Sequence, residues 1–201
     1  QIADDKNQNR LQNILAESQR MKGLVESLLT LARTDQKPAL QKKEPVNLSY
    51  LVSGATLTLE SALFDAKRAL DVQVEENLTV LGDAARLREL VDILLDNACK
   101  YGAAGTPVTV RLAAAGRRDV LLTVASEGAP LMPEECERIF ERFYRSDQSR
   151  GEVKGYGLGL SIARSIAQEH GGRIWAQSDG AKVNTFLVKL PLKDGGPGKK
   201  R

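Results

Sequence analysis

Residues 83–102 read DAARLRELVDILLDNACKYG and carry the clearest helical period in the chain. Apolar side chains recur there at spacings of three and four, which places them on one helix face: Leu87, Leu90, Val91, Leu94, Leu95 and Ala98. Asp83 precedes the pattern as a predicted N-cap, and Gly102 follows it where a helix ends. The stretch therefore predicts an amphipathic helix from Asp83 to Tyr101 whose inner face packs on a core.

Segments with strand and helix patterns alternate on both sides of this helix. Strand patterns occur at Val46–Leu48, Asp71–Glu75, Leu78–Leu81, Val108–Leu112, Val120–Val124, Arg173–Gln177 and Val183–Leu190. Further helices are predicted from an N-cap at Ser49 to Lys67, over Pro133–Phe140 and over Gly157–His170. Residues 142–156 are charged and lack a period, which predicts a mobile loop. The alternation predicts a mixed α/β domain over residues 46–192.

The N-terminal segment predicts one long helix of a different kind. A heptad seam runs along residues 4–35 through Leu11, Ile14, Ser18, Met21, Val25, Leu28 and Ala32. A helix buries such a stripe only against other helices, so we expect residues 1–35 to form part of a dimeric bundle. Packing onto the chain's own domain is the alternative. The polar residues 36–45 predict a linker, and residues 193–201 predict a disordered basic tail.

Composition excludes several classes of protein. Of the 201 residues, 42% are hydrophobic and 27% are charged, the ordinary balance of a globular protein. A net charge of +3 argues against nucleic-acid binding. No apolar run reaches the roughly 18–20 residues of a membrane span, so we expect no membrane contact by this chain. Its two cysteines form no disulfide framework, which indicates a reducing compartment and so a cytoplasmic location. Cys99 and Cys136 lack metal-ligand spacing, and His170, the single histidine, excludes a multi-histidine metal site.

Polar residues follow the apolar pattern at the end of the predicted helix over residues 83–101. Asn97, Lys100 and Tyr101 are three and four residues apart, so we expect them on one side of the helix. An amide oxygen, an ammonium group and an aromatic ring there suit a hard cation, a phosphate and a flat ring. An ordinary solvated helix face is the alternative.

The glycine motif, Gly155–Leu160, is the stronger signal. Glycines at 155, 157 and 159 open a predicted helix, so backbone N–H groups can approach an anion that the helix dipole also favours. The spacing is neither the dinucleotide fingerprint nor a P-loop. A flexible loop without a ligand is the alternative interpretation.

Four sequence boxes in this order resemble sensor histidine kinases. Met21–Asp35 resembles the second helix of their dimerisation domain, Leu94–Tyr101 their N box, Phe140–Arg145 their F box, and Gly155–Leu160 their second glycine box. Thr185-Phe186 followed by Leu190-Pro191 resembles the closing strand. The resemblance covers nearly the whole chain, from Gln12 to Leu192.

The resemblance implies the ATP-binding fold shared with DNA gyrase and Hsp90, a two-layer α+β sandwich with helices on one face of a mixed sheet. It implies ATP and Mg²⁺ as ligands, with Asn97 coordinating Mg²⁺, Lys100 contacting phosphate and Tyr101 lying against the nucleotide. Gly155, Gly157 and Gly159 would form the phosphate-facing edge of the lid, and Tyr156, Leu158 and Leu160 are further nucleotide-binding candidates in the same motif. Arg145 and Arg150 are candidates for the γ-phosphate, and Thr185 is expected near the adenine.

Three positions depart from the family pattern. Ser126 stands where an acidic residue usually accepts from the adenine amino group; Gly128 is kept, and Pro130 replaces the second glycine of that box. Because charge-assisted hydrogen bonds are roughly twice as strong as neutral ones, we expect weak ATP affinity. Ile93 stands four residues before Asn97, where related ATPases have a water-activating Glu, so we expect no gyrase-like hydrolysis.

The phosphoacceptor histidine expected before the Met21 helix is missing, which favours a fragment that does not autophosphorylate. The resemblance implies transfer of the γ-phosphoryl group of Mg-ATP to that histidine, a response regulator as partner, and a homodimer through the N-terminal helix. A degenerate, non-catalytic interaction module is the alternative. A serine kinase acting as an anti-sigma factor is disfavoured by the Met21 helix.

Overall fold

The computed structural model describes residues 43–65, 68–146 and 156–193, together with Ile14, Ser18, Met21 and Val25. The chain divides into two compact units, residues 1–39 and 40–201. The boundary falls inside the predicted linker. Most of that linker, the predicted tail beyond Lys193 and the loop from 147 to 155 lie outside the described residues.

In the first unit, the four described residues are all helical and exposed. They are consecutive members of the predicted heptad seam. Their apolar members are 66% (Ile14), 61% (Met21) and 53% (Val25) exposed in the single chain. The rest of the predicted helix lies outside the described residues.

The second unit is built on a mixed sheet. Its strands, in chain order, are β1 (Glu44–Asn47), β2 (Leu70–Val74), β3 (Thr79–Gly82), β4 (Val108–Ala115), β5 (Asp119–Glu127), β6 (Arg173–Ser178) and β7 (Val183–Pro191). Over the described residues, five of them form a sheet in the order β2-β4-β5-β7-β6, while β1 and β3 pair separately. β2 runs parallel to β4, and the other pairs are antiparallel.

The helices of this unit are α1 (Leu48–Asp65), α2 (Ala84–Tyr101), α3 (Pro133–Arg138) and α4 (Gly159–Glu169). α2 packs against α1, α4 and β5, and α4 also packs against β6 and β7. Along β5, buried residues alternate with half-buried ones, so one face of the sheet is covered by the helices. The structure therefore confirms the predicted helices and mixed sheet. No helix within the described ranges is long and apolar enough to cross a membrane.

The predicted helix over residues 83–101 is confirmed in detail. Asp83 Oδ1 accepts hydrogen bonds from the backbone N–H groups of Ala85 (2.8 Å) and Arg86 (3.1 Å), and so caps α2. The six apolar residues predicted for its inner face are its buried residues: Leu87, Leu90, Val91, Leu94, Leu95 and Ala98. Gly102 follows as the C-cap.

The predicted N-cap of α1 was wrong. α1 begins at Leu48, and Asn47 caps it by accepting from the backbone N–H of Tyr50 at 2.9 Å. Ser49 is buried instead, where its Oγ donates to the carbonyl of Glu75 at 2.6 Å and accepts from the N–H of Leu78 at 3.0 Å. The Ser49 hydroxyl therefore bonds to residues 26 and 29 positions further along the chain and does not cap the helix.

Three boundaries also differ from the sequence prediction. β1 begins at Glu44 and includes Pro45, which was placed in the linker. β5 continues to Glu127, so Ser126 lies within the strand and not after it. α4 begins at Gly159 because Gly157 has φ +70°, which ends regular helix geometry there.

Candidate functional site

One half-buried face of α2 carries the predicted ligand-binding residues. Ile93, Asn97 and Tyr101 follow one another at intervals of four residues and so share that face. Tyr101 is 39% exposed, and Asn97 is half-buried. Within the described part of the chain, the Asn97 carboxamide has no hydrogen-bond partner, so its oxygen is available to a ligand.

The N-terminus of α4 lies against the same face. A Cβ on Gly159 would lie 3.4 Å from Ile93 Cγ2, which places the first turn of α4 near Ile93, one turn before Asn97 on the same face of α2. No side chain caps this helix. Uncapped N–H groups and the positive end of the helix dipole favour an anion such as phosphate.

The glycine motif is held by the segment that follows α3. The N–H of Phe143 donates to the carbonyl of Gly157 at 3.0 Å. A Cβ on Gly157 would lie 2.5 Å from the carbonyl oxygen of Tyr144, so only glycine fits this crossing. Phe143 itself has φ +64°, a left-handed conformation that is rare for a bulky residue. The F-box and second-glycine-box segments are therefore in direct contact.

Other predicted lid residues are only partly described. Tyr156 and Leu160 are half-buried and Leu158 is buried at the start of α4. Arg145, the last residue of the F box, is half-buried and follows Tyr144, whose ring centroid lies 4.5 Å from the Arg138 guanidinium in a cation–π contact. Arg150 and Gly155 lie outside the described residues.

Lys100 is turned toward Asp96. Its Nζ lies 2.6 Å from Asp96 Oδ2, and the two side chains are 46% and 56% exposed. An exposed pair of this kind contributes only about 0–1 kcal/mol, so exchanging Asp96 for a phosphate oxygen costs little. Lys100 thus lies beside the Asn97 face, held by a weak ion pair.

The end of β5 places Ser126 on the helix-covered face of the sheet. Ser126 is 8% exposed, in line with the buried Val124 and Leu122. Its register partners are Val108 on β4 and Asn184 on β7. Residues that pair directly share a face, so Ser126 and Asn184 lie side by side.

The register does not bring Thr185 to this position. Thr185 pairs with Ala125, and successive residues of a strand point to opposite faces. It therefore lies on the face away from the helices, while Asn184 takes the place beside Ser126. A signal for Asn184 was present in the sequence, because the residue two before the buried Phe186 must share its face.

Asn184 fixes the loop that leaves β5. Its Oδ1 accepts from the N–H of Leu131 at 3.1 Å, and its Nδ2 donates to the carbonyl of Ala129 at 2.8 Å. Both hydrogen-bonding groups of the carboxamide are therefore committed to the backbone on either side of Pro130. The loop conformation is set by a residue that sequence reasoning missed.

Gly128 joins this loop to the end of α2. A Cβ there would lie 2.5 Å from the carbonyl oxygen of Tyr101. The N–H of Gly128 donates to the carbonyl of Lys182 at 2.7 Å, and the carbonyl of Glu127 accepts from the N–H of Ala103 at 2.6 Å. The backbones of β5, α2 and the β6–β7 turn thus meet at Gly128.

Two buried side chains from distant parts of the chain hold the ends of α2. Arg68 is 7% exposed; its Nε donates to the carbonyl of Thr106 at 3.0 Å, and its Nη1 donates to the carbonyls of Ala98 and Cys99 at 3.2 Å. At the other end, His170 Nε2 accepts from the N–H of Asp83 at 3.0 Å, and its Nδ1 lies 2.7 Å from the carbonyl of Ile166. Since Nε2 accepts from this N–H, Nδ1 is the ring nitrogen that donates to the carbonyl of Ile166. Sequence reasoning placed His170 at a helix end but missed both tethers.

Charges around the β6–β7 turn are paired with neighbouring groups. Lys182 Nζ lies 2.8 Å from Glu127 Oε2, and the hydrogen bond and charge of Glu127 raise the pKa of the lysine. The backbone N–H groups of Ala181, Val183 and Lys182 lower the pKa of Asp179 by donating to its carboxylate.

On α2, burial raises the pKa of the Cys99 thiol above its ordinary value despite the opposing charge of Arg68.

Asn97 is the candidate metal ligand, and its chemistry fits Mg²⁺. No group of three or more His, Cys, Asp or Glu side chains that could hold a metal occurs in the described segments. Mg²⁺ is usually bound by one or two protein oxygens together with substrate phosphates and water, so a single amide oxygen facing a phosphate site suffices.

Comparison with known families agrees with this geometry. The family model described as histidine kinase-, DNA gyrase B-, and HSP90-like ATPase matches residues 82–194, which include α2, the end of β5 and α4. The chain belongs to this ATPase family. The predicted resemblance and fold class are confirmed.

Individual relatives are sensor kinases. Sensor protein DltS of Streptococcus agalactiae is 32% identical over 182 residues, which cover 90% of this chain and 46% of DltS. The structure of the mycobacterial sensor histidine kinase MprB is similar with a TM-score of 0.65 at 28% identity, over 76% of this chain and 99% of that one. Full-length ShkA in complex with AMPPNP shares the fold, with a TM-score of 0.78 at 24% identity over 90% of this chain and 38% of its own. This chain spans less than half the length of DltS.

Proposed function

We propose that this chain is the ATP-binding catalytic region of a sensor histidine kinase. It binds Mg-ATP and presents the γ-phosphate to a histidine, from which a response-regulator aspartate receives the phosphoryl group. One observation carries the proposal: the uncapped N-terminus of α4 lies against the face of α2 that bears Asn97. An amide oxygen beside a positive helix end is what a magnesium triphosphate requires.

Different residues of the chain bind different parts of the nucleotide. The N–H groups of Gly159 and Leu160 bind phosphate oxygens, and Asn97 supplies the protein oxygen to Mg²⁺. Tyr101 lies against the nucleoside, while Lys100 exchanges Asp96 for a phosphate. Ser126 lies at the base-binding end, under the loop that Gly128 joins to α2. When bound, Mg²⁺ offsets the negative charge of the phosphate oxygens.

The reaction is phosphoryl transfer by positioning. A nitrogen of the acceptor imidazole attacks the γ-phosphorus, the bond to the β–γ bridging oxygen breaks, and ADP leaves with that electron pair. The domain contributes alignment and charge stabilisation and makes no covalent bond. Arg145 and Arg150 are the proposed lid cations.

The acceptor histidine is not His170. That side chain is 6% exposed, and both of its ring nitrogens are hydrogen-bonded in the core. We infer that the acceptor lies on the first helix of a dimerisation hairpin, whose second helix contains Met21. The exposed seam residues of the N-terminal unit support a homodimer through that helix. From the similarity to sensor kinases we also propose that the kinase lies on the cytoplasmic side of an anchored sensor.

Ile93 favours transfer over hydrolysis. Its side chain lies near the start of α4 and has no group that can take a proton from water. We expect little release of inorganic phosphate from Mg-ATP in the absence of an acceptor.

Isothermal titration with Mg-AMPPNP tests the proposal. We expect binding to the purified chain, and Asn97→Ala to weaken it by roughly tenfold or more, the usual cost of losing a metal contact. Asn47→Ala is the matched control, since it removes a helix cap on α1 and should lower stability with unchanged affinity. Absence of binding at millimolar nucleotide would favour a non-catalytic interaction module.

Labelling with γ-³²P-ATP tests the assignment of the acceptor. The chain alone should remain unlabelled. A dimerisation hairpin supplied separately, with its histidine, should acquire acid-labile label that moves to a response regulator. An acid-labile label on the chain itself would contradict the assignment of His170 as structural.

A further inference from the structure

We infer that Ser126 relaxes the choice of base, so that the site accepts 6-oxopurine nucleotides nearly as well as adenine nucleotides. The inference rests on the proposed nucleotide binding and concerns which purine is bound. It starts from the hydroxyl of a largely buried residue at the proposed base-binding end of the site.

Ser126 is a polar side chain that is left open inside a built site. It is 8% exposed and lies on the helix-covered face at the carboxyl end of β5. Within the described part of the chain, its hydroxyl makes no hydrogen bond. Among the described residues, its oxygen is not one of the buried side-chain atoms that lack a partner, so it is open to solvent. It can therefore bond to a ligand group without giving up a protein contact.

The polar neighbours of Ser126 are committed elsewhere. Asn184, its register partner on β7, uses its amide oxygen and nitrogen to hold Leu131 and Ala129. Glu127 follows on the opposite face of β5, and its carboxylate lies 2.8 Å from Lys182 Nζ. The third neighbour, Val108, is apolar. Ser126 is thus the group on these strands that remains to read the base.

A hydroxyl cannot discriminate as a carboxylate does. Position 6 of adenine is an amino donor, whereas position 6 of guanine or hypoxanthine is a carbonyl acceptor. An ionised carboxylate only accepts, so it bonds to the amino group and repels the carbonyl. The serine hydroxyl rotates, accepts or donates as required, and can do either through one bridging water. It therefore leaves neither base with an unpaired group at this contact.

Titration of ATP and inosine triphosphate, each with Mg²⁺, tests the inference. Inosine triphosphate carries the 6-carbonyl and lacks the 2-amino group of guanine, so its base differs from adenine only at position 6 and in the proton on the adjacent N1. For the unmodified chain we expect dissociation constants within about tenfold of each other. Ser126→Asp should tighten the binding of ATP and weaken the binding of inosine triphosphate, so that their dissociation constants differ by at least about a hundredfold.

Ser126→Asn is the matched control for size and polarity. Its carboxamide has nearly the shape of the aspartate side chain but both donates and accepts. The dissociation constants of the two nucleotides should therefore stay within about tenfold of each other. It also keeps the test open if a buried aspartate prevents folding, which thermal unfolding of each variant would reveal.

The outcomes separate this inference from the proposed function. If the unmodified chain binds ATP but inosine triphosphate a hundredfold or more weakly, base tolerance is refuted and nucleotide binding stands. If the Asp and Asn variants show the same ratio, Ser126 is not the determinant. Absence of binding by either nucleotide overturns the proposed function together with this inference.

Discussion

At the scale of single residues, the site depends on places where a side chain is missing. Gly128 and Gly157 each bring one backbone against another, and a Cβ at either would lie 2.5 Å from a carbonyl oxygen. Contacts of backbone with backbone cannot relax by a rotamer change. These glycines are required by the closeness of two chain segments, whatever ligand is bound.

Gly128→Ala should therefore weaken both the fold and nucleotide binding. The added methyl pushes the β5 loop away from the carbonyl of Tyr101, which we expect to cost about 1–3 kcal/mol of unfolding free energy. Nucleotide affinity should fall at the same time, because Ser126 and Tyr101 flank this contact. Urea unfolding and isothermal titration measure the two effects.

Gly54→Ala is the control for this substitution. Gly54 lies in α1, and a Cβ there meets no atom within 4 Å. Alanine in that helix should stabilise the protein by about 0.5–1 kcal/mol and leave affinity unchanged. A Gly128→Ala protein that matched Gly54→Ala in both measurements would refute the close contact at Gly128.

At the scale of elements, α2 is fixed at both ends by side chains from outside it. Asp83 caps the first turn and donates its own N–H to His170, while Arg68 holds the carbonyls of Ala98 and Cys99 in the last turn. A cation at a helix C-terminus also complements the helix dipole. The position of Asn97, one turn from that end, is thereby set by the arginine.

Arg68→Met should destabilise the domain by about 2–3 kcal/mol, because hydrogen bonds from a charged group are lost and the last-turn carbonyls stay buried. Arg88→Met on the same helix is the matched control. Arg88 pairs with Asp92 at 2.8 Å, the side chains are 39% and 50% exposed, and its loss should cost less than about 1 kcal/mol. Equal shifts of the urea midpoint for the two variants would show that Arg68 does not hold the helix.

Periodicity predicted the elements better than it predicted their contacts. The inner face of α2 and its Asp83 cap follow from local sequence, because spacing and capping act within one or two turns. Ser49, Arg68 and His170 could not be placed in this way, since their partners lie 26 or more residues away along the chain or come from another element. For Thr185 the strand was predicted correctly. The face of the sheet on which Thr185 lies was not worked out, although the neighbouring buried Phe186 indicates it.

At the scale of the whole molecule, distant turns and the site share one set of backbone contacts. The β6–β7 turn is closed by Asp179, whose Oδ1 accepts from the N–H groups of Ala181, Lys182 and Val183 at 2.8–2.9 Å. The carbonyl of Lys182 in that turn accepts from Gly128. A change in the turn should therefore be transmitted to the loop at Gly128, which borders the proposed nucleotide site.

Asp179→Asn should reduce stability at neutral pH, and the difference should disappear in acid. The hydrogen bonds lower the pKa of Asp179 in the folded state. Their contribution is therefore complete above the unfolded pKa of about 3.9, and it is lost as the pH falls through the lower folded value. Urea unfolding of both proteins from neutral pH down to about pH 2 measures this convergence, which follows from that linkage.

Asp71→Asn separates the turn from a general effect of charge, because the Asp71 side chain makes no hydrogen bond in the described part of the chain. We expect it to lower stability at neutral pH less than Asp179→Asn does. Asp179→Asn should also weaken nucleotide binding, since the turn that supplies the Lys182 carbonyl to Gly128 loosens, whereas Asp71→Asn should leave binding unchanged. A stability difference for Asp179→Asn that persisted undiminished into acid would contradict the role of its carboxylate. Unchanged nucleotide affinity would restrict that role to the turn itself.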